Sequence, residues 1–266
     1  MCLRYAVTDG PAVNLARSLV LWDIDRTLVD VGGVSEEVYA DAFRMAVGRP
    51  MERLADLHGR TDRAITVETL RMHGVAVSAA LIDSFGAALA DTFGANEAAV
   101  RQRGRVLPGA LEALTVLSVR DDVVQSVLTG NMKPIAVAKL AAFGLHRFVD
   151  FEVGAYGMDH HERPPLVRLA QTRAARKYGL AFTAANTVLV GDTPSDVLAG
   201  HLGGARVVAV ATGPSHEGAL RDAGAELVLA DLTDTGAVVD AVLAAISDPT
   251  CGGSPARGSR RALRAG

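Results

Sequence analysis

The sequence of 266 residues lacks the features that mark several protein classes. It has two cysteines, Cys2 and Cys251, so neither a disulfide framework nor a paired-cysteine metal site is predicted. No apolar run approaches the roughly 18 residues of a membrane span, and no basic region followed by an apolar one suggests a secretory signal. The net charge of −3 offers no positive excess for nucleic acid. We therefore expect a cytoplasmic protein with no membrane or nucleic-acid partner.

The composition is that of an ordinary globular protein, with 49% hydrophobic and 21% charged residues. A chain of this length can build a sizeable core and a second, smaller domain. Residues 248–266 are rich in glycine, serine, proline and arginine. We expect this tail to be disordered.

Short apolar runs bounded by turn residues predict buried strands. They lie at 18–22, 123–128, 148–153, 187–190, 206–210 and, more weakly, 226–229. Helical patterns fall between them, at 109–119, 134–143, 165–178 and 194–202. Strands that alternate with helices predict an α/β fold with a doubly wound parallel sheet.

Residues 33–105 interrupt this alternation and contain no convincing strand. Helices are predicted to begin near Ser35, at Thr61-Asp62 and at Ser78. The third helix carries apolar residues at four-residue spacing along one face: Leu81, Phe85, Leu89 and Phe93. We predict a discontinuous core of residues 17–32 and 106–240, with an all-helical insert at 33–105.

Two carboxylates follow the first predicted strand. Extended-chain alternation places Asp23 and Asp25 on one side of the chain and turns Ile24 away from them. Two close carboxylates repel each other unless a cation or a proton lies between them, and Mg²⁺ binds carboxylate and carbonyl oxygens readily. The alternative is a surface turn in which the two acids stand by chance.

Polar residues also follow two later strands. Thr129, Gly130 and Asn131 come after the run at 123–128, and Asp192 comes after the run at 187–190. Asp196 follows one helical turn beyond Asp192. Because the carboxyl ends of parallel strands lie at one edge of a sheet, these residues are predicted to share a site with the first two aspartates.

The motifs DIDRTL, LTGN and GDTPSD, in this order, resemble those of the haloacid dehalogenase-like hydrolases, in particular their phosphatase branch. The resemblance covers roughly residues 17 to 235. It implies a Rossmann-like core with an inserted helical cap, similar to phosphoglycolate phosphatases and β-phosphoglucomutases. Hinges for the cap are then expected near residues 31–34 and 104–108.

The resemblance also implies roles for the residues at the strand ends. Asp23 matches the nucleophile that forms an aspartyl-phosphate, and Asp25 matches the general acid/base. Thr129, with Gly130 and Asn131, matches the segment that binds the phosphoryl group.

The family binds Mg²⁺, and here its ligands are expected to be Asp23, Asp192 and the backbone carbonyl of Asp25. Asp196 is expected to ligate the Mg²⁺ through water or to orient the site.

Three arginines are further candidates. The family has a basic residue, usually followed by proline, before the helix that precedes its last motif, and Arg163 matches it, with Arg168 as the alternative. Arg26 stands where the phosphatases commonly have glycine; it either reaches the substrate, points to solvent or pairs with an acid of the cap. Arg60 precedes a predicted cap helix and is either a surface residue or a contact for an anionic substrate.

The function implied is Mg²⁺-dependent hydrolysis of a small phosphorylated metabolite, of the phosphoglycolate or sugar-phosphate type, by a monomer or homodimer. One alternative is a phosphomutase of the β-phosphoglucomutase type. Another is a non-catalytic member that binds a ligand.

Overall fold

A computed structural model describes residues 17–247 of the chain. In chain order, its strands are β1 (Ser18–Trp22), β2 (Val29–Asp30), β3 (Arg105–Val106), β4 (Val123–Val127), β5 (Thr187–Gly191), β6 (Arg206–Val210) and β7 (Leu227–Leu229). Five of them form a parallel sheet in the order β4-β1-β5-β6-β7. The predicted α/β fold with a parallel sheet is confirmed.

Ten α-helices lie in the described range. They are α1 (Val34–Val47), α2 (Asp62–Met72), α3 (Ala79–Ala95), α4 (Glu97–Arg103), α5 (Ala110–Ser118), α6 (Lys133–Ala142), α7 (Pro164–Tyr178), α8 (Pro194–Gly203), α9 (Glu217–Asp222) and α10 (Thr235–Ser247). None of these helices is long and apolar enough to cross a membrane.

Both faces of the parallel sheet are covered by helices. Leu19 and Leu21 of β1 belong to one apolar cluster, together with residues of α7 such as Leu166. Val20 and Trp22 belong to the other, together with residues of α5 and α10. Successive side chains of a strand point to opposite faces, so this split within β1 gives the doubly wound arrangement.

The helices α1 to α4 follow one another between β2 and β3, which pair as a short antiparallel ribbon. In α3, Phe85, Leu89 and Phe93 are buried, as the four-residue spacing predicted. Thr61 and Ser78 cap α2 and α3 by accepting hydrogen bonds from backbone N–H groups, as predicted. The first predicted helix is α1, which has Glu36 and Glu37 in its first turn, but its N-cap is Gly33 and not Ser35.

The predicted strand at 148–153 is also wrong. Leu145–Phe148 form a turn of 3-10 helix, and an irregular segment follows. This segment runs beside β4, where Asp150 N donates to Gln125 O at 2.8 Å and Ala155 N donates to Val127 O at 3.0 Å. The sequence patterns also missed α4, α9, α10 and the β2–β3 ribbon. The predicted disordered tail at 248–266 lies outside the described residues.

Candidate active site

The three adjacent strands β4, β1 and β5 deliver polar residues to one edge of the sheet. The pairing of β1 with β5 extends to Asp23, whose N–H donates to Val190 O at 2.8 Å. Asp192 comes directly after β5, and Thr129 comes two residues after β4. All three side chains are almost fully buried. The apolar strands therefore fix the backbone from which the polar side chains project.

Three of the predicted aspartates form a compact acidic cluster. Asp23, Asp192 and Asp196 each place a carboxylate oxygen within 4.8 Å of the others. Burial raises the pKa of Asp23 to about 7, since the lowering effect of Arg163 is outweighed by burial together with Asp196 and Asp25. Burial and the charges of Asp23 and Asp196 raise the pKa of Asp192 to about 8. Without a cation, the cluster holds protons at neutral pH.

Arg163 is the basic residue of this cluster. It immediately precedes α7, and its Nη2 lies 3.1 Å from Asp23 Oδ1 and also contacts Asp196 Oδ1. Burial lowers the pKa of the Arg163 guanidinium, but the negative charges of Asp196 and Asp23 outweigh this effect and raise the pKa above its usual value. Arg163 therefore stays charged. The alternative, Arg168, is exposed and does not line the cavity described below.

Asp196 orients two of its neighbours. One oxygen accepts from the backbone N–H and the hydroxyl of Thr193, at 3.1 and 2.6 Å, which completes the capping box of α8. The other oxygen contacts Arg163. Gly191 makes this close approach possible, because a Cβ there would lie 2.4 Å from the Asp196 carboxyl carbon.

Asp25 lies beside the cluster, on the side of β4. Its carboxylate accepts from Asn131 Nδ2 at 2.6 Å and from Lys139 Nζ at 2.7 Å. Asn131 also donates to Thr129 Oγ1, at 2.9 Å. Because Thr129 Oγ1 only accepts in these contacts, its hydroxyl proton remains available to a ligand.

The donor set fits a hard divalent cation such as Mg²⁺. Asp192 Oδ1 accepts from Thr27 Oγ1 at 3.1 Å, whereas the buried Asp192 Oδ2 has no hydrogen-bond partner among the described residues. A buried polar atom without a partner is costly. A cation held by Asp192 and Asp23 would satisfy this oxygen and offset the repulsion within the cluster.

Arg26 adopts the left-handed backbone conformation, with φ of 63°, that glycine adopts without steric cost. Its guanidinium donates to Asp30 Oδ2 at 2.9 Å, and Arg105 pairs with the same oxygen at 2.9 Å. Arg26 therefore pairs with an acid of β2 rather than with one of the helical insert, and its side chain stays about half exposed at the wall of the cavity.

A cavity of about 490 Å³ lies between the strand ends and the helical insert. Its walls include Asp23, Asp25 and Thr129 from the sheet side, and Arg60 from the loop before α2. Arg60 is partly buried, and within residues 17–247 its side chain makes no hydrogen bond or ion pair. Its guanidinium is free to bind a group in the cavity.

Backbone contacts hold the insert against the edge of the sheet. Asp62 N donates to Gly130 O at 2.7 Å, and Met132 N donates to Asp62 Oδ2 at 2.7 Å. Gly130 has no room for a side chain, since a Cβ there would lie 2.0 Å from Arg60 O. The loop before α2 therefore covers the ends of the strands.

A family model for haloacid dehalogenase-like hydrolases matches residues 20–201, which is more than half of the chain and spans the acidic cluster, Thr129 and Arg163. The chain is a haloacid dehalogenase-like hydrolase. The resemblance stated from the motifs is thereby confirmed at the level of the family.

Other members are similar over almost their whole length. The probable phosphatase IndB of Dickeya dadantii (strain 3937) is 27% identical over 247 residues, which cover 88% of this chain and 98% of the relative. A putative β-phosphoglucomutase from Bacteroides vulgatus has 20% identity and a TM-score of 0.59, with 88% of this chain and 92% of that chain covered. A predicted phosphoglycolate phosphatase from Haemophilus somnus 129pt has 18% identity and a TM-score of 0.59, with 84% of this chain and 98% of that chain covered. The two solved structures establish that the fold is shared.

Lys139 of this hydrolase is a charged residue of the site that the sequence interpretation missed. It lies in α6 at a position four residues after the buried Ile135, and its own side chain is only 2% exposed. A lysine on the buried face of an otherwise apolar helix is unusual. That placement was visible in the sequence and would have identified the residue.

Proposed function

We propose that this hydrolase removes the phosphoryl group from a small phosphomonoester in two steps. Asp23 attacks phosphorus and forms an aspartyl-phosphate while Asp25 protonates the leaving oxygen. Asp25 then takes a proton from the water that attacks the same phosphorus and frees Asp23. The observation that carries the proposal is the buried cluster of Asp23, Asp192 and Asp196 around Arg163, with Thr129 in the wall of the same cavity.

The proposed cofactor is Mg²⁺, held by the carboxylates of Asp23 and Asp192 and by the backbone carbonyl of Asp25. When bound, it would neutralise negative charge on the phosphoryl oxygens and on the nucleophile. Both oxygens of Asp196 are engaged by Thr193 and Arg163. We therefore propose that Asp196 orients Arg163 and does not contact the cation directly.

Groups around Thr129 would bind the phosphoryl oxygens. The Thr129 hydroxyl has a free proton, and the backbone N–H of Gly130 has no hydrogen-bond acceptor among the described residues. Arg163 would hold both Asp23 and a phosphoryl oxygen in line for attack. The Asn131 amide is already engaged, so we propose that Asn131 positions Asp25 and Thr129.

We propose that residues 33–105 form the cap that encloses the substrate, carried on hinges near 31–34 and 104–108. Arg60, with its free guanidinium in the cavity, would bind a carboxylate or a second phosphate of the leaving group. Phosphoglycolate-type and sugar-phosphate substrates both fit this description. Closure would exclude bulk water during the attack by Asp23.

A phosphatase screen over a panel of metabolites, with Mg²⁺ and with a chelator, tests the proposal. We expect release of phosphate that requires Mg²⁺ and is lost in Asp23→Asn by at least about 10³-fold, because the nucleophile is removed. Asp41→Asn, which changes a half-exposed acid of α1, is the matched control and should keep full activity. Undiminished activity in Asp23→Asn would show that another group attacks phosphorus.

A phosphomutase of the same fold is the second candidate, because a putative β-phosphoglucomutase shares this fold. Product analysis with a hexose 1-phosphate separates the two, since a mutase yields the 6-phosphate and a phosphatase yields free sugar. A non-catalytic, ligand-binding member would release no phosphate from any substrate.

A further inference from the structure

The Lys139 ammonium is enclosed in the site and engaged on three sides. Its Nζ lies 2.7 Å from each carboxylate oxygen of Asp25 and 2.8 Å from Asn131 Oδ1. An ammonium has three N–H donors, and these contacts account for all of them. Lys139 therefore holds the Asp25 carboxylate in place and also holds Asn131, whose side chain donates to Asp25.

The position of the pair distinguishes it from a purely structural ion pair. The Lys139 side chain is 2% exposed, whereas the Asp25 side chain is 38% exposed and faces the cavity. Burial of a charged amine is unfavourable unless it is well paired, and an apolar residue would fill this face of α6 without that cost. The buried Lys139 ammonium thus pairs with an acid, Asp25, that is exposed to the cavity in which the proposed substrate would bind.

The insert supplies the remaining cover for this ammonium. Lys139 Nζ lies 5.8 Å from the centre of the Phe93 ring, which belongs to α3. A cation above an aromatic ring is attracted by it, and Phe93 is itself only 2% exposed. The contact keeps water from the side of Lys139 that faces the insert.

We propose that Lys139 is a positioning residue for Asp25 in both proton transfers, an inference that rests on the proposed phosphatase function. In the first step the P–O bond to the leaving group breaks, the bond from Asp23 to phosphorus forms, and the proton of Asp25 goes to the leaving oxygen. Lys139 stabilises the carboxylate that this transfer creates and keeps it directed at the cavity. In the second step Asp25 takes a proton from water, as the water oxygen bonds to phosphorus and the bond to Asp23 breaks.

The dependence on the leaving group tests this role. Departure of an alkoxide needs a proton, whereas p-nitrophenolate leaves without one. We expect Lys139→Met to slow release of the leaving group in a single turnover by at least about 10²-fold for an alkyl phosphate and by no more than about threefold for p-nitrophenyl phosphate. Steady-state kcat should fall for both substrates, because hydrolysis of the aspartyl-phosphate needs Asp25 as base whichever group has left. The Mg²⁺ dependence should be unchanged. Lys133→Met, on the exposed face of the same helix, is the control and should match the wild type.

A double-mutant cycle shows whether Lys139 acts through Asp25. In an Asp25→Asn background, Lys139→Met should cause no further loss, because the group that it positions is already disabled.

If Lys139→Met does not fold, as judged by thermal unfolding, Lys139→Gln replaces it. The glutamine keeps the length of the side chain and a donor but no charge, so the same selective loss is expected with a smaller ratio.

The outcomes separate this inference from the proposed function. Equal losses in the single-turnover release of the two leaving groups, or losses that add to that of Asp25→Asn, would mean that Lys139 only supports the fold and would overturn the inference alone. A wild-type protein that releases no phosphate from either substrate would overturn the proposed function, and the role of Lys139 with it.

Discussion

At the scale of single residues, Arg26 shows how a functional turn tolerates strain. A non-glycine residue with φ of 63° has its Cβ too close to the following carbonyl oxygen, at a cost of about 1–2 kcal/mol. The Arg26 carbonyl accepts from Thr212 Oγ1 at 2.5 Å, and the guanidinium pairs with Asp30. These contacts hold the turn that directs Asp25 towards the cavity.

Arg26→Gly and Arg26→Ala should separate the strain from the ion pair. Both lose the contact with Asp30, which is worth less than about 1 kcal/mol for a half-exposed arginine, and Asp30 keeps Arg105 as a partner. Only glycine relieves the backbone. We expect Arg26→Gly to be more stable than Arg26→Ala by about 1 kcal/mol, measured by urea unfolding. An alanine variant as stable as the glycine variant would show that the backbone relaxes at this turn.

At the scale of secondary-structure elements, the loop that precedes α2 meets the N-terminal end of α8. A Cβ on Gly59 would lie 2.6 Å from Ser195 Oγ and 3.0 Å from Thr193 Oγ1. Gly74, at the other end of α2, has a similar φ of 66°, but a Cβ there would meet nothing within 4 Å. The two glycines therefore differ in surroundings and share a positive φ at which an alanine would be strained.

Gly59→Ala should impair catalysis where Gly74→Ala does not. Both variants are expected to lose about 1 kcal/mol of stability, because alanine is strained at positive φ. Only the first pushes the loop away from Ser195, so we expect its kcat/KM to fall by about tenfold or more. Steady-state kinetics beside thermal unfolding of the two variants measures this. Equal kinetics in the pair would show that the loop can shift without loss of geometry.

The elements also show what sequence patterns can and cannot predict. The strands β1, β5 and β6 are continuous apolar runs because both faces of the sheet are covered, and such runs are visible in the sequence. The segment at 148–153 carries a similar pattern, since Phe148 and Phe151 pack on the same core, but it bonds to β4 at isolated points only. A pattern of apolar residues shows which side chains are buried, but it does not show whether the backbone forms the regular hydrogen bonds of a strand.

The site was predictable to a similar extent. Carboxylates that follow apolar strands in the sequence predicted a site at one edge of the sheet, and Asp23 and Asp192 do lie together there. The pairing of Lys139 with Asp25 joins a helix to a turn 114 residues earlier in the chain. Only the tertiary structure gives such a pair. The ribbon of β2 and β3 was missed because strands of two residues are too short to show alternation.

At the scale of the whole molecule, the acidic cluster links stability to pH and to metal. The folded protein holds protons on Asp23 and Asp192 up to a pH of about 7 and 8, because their pKa values are raised, whereas the unfolded chain releases them near pH 4. The folded state thus binds more protons between these limits. The free energy of unfolding of the metal-free protein should therefore fall as the pH rises from about 4 to about 8.

Thermal unfolding in chelator at pH 5.5 and pH 8, repeated with Mg²⁺, measures this linkage. We expect a lower Tm at pH 8 without metal and a larger gain in Tm from Mg²⁺ at pH 8 than at pH 5.5, since the cation replaces the protons. Asp192→Asn removes one of the charges and should reduce both effects. The same gain at both pH values would contradict the assignment of these carboxylates as ligands.

The β2–β3 ribbon has a consequence for the evolution of the molecule. Val29 pairs with Val106 and Asp30 with Arg105, so the chain leaves the core and returns to it on neighbouring strands, about 5 Å apart. Everything between is, topologically, the loop of one hairpin. A turn of a few residues could replace it, or another module could be spliced in at the same two points, without rethreading the sheet. The strand ends that carry Asp23 and the helices between β2 and β3 can therefore change independently.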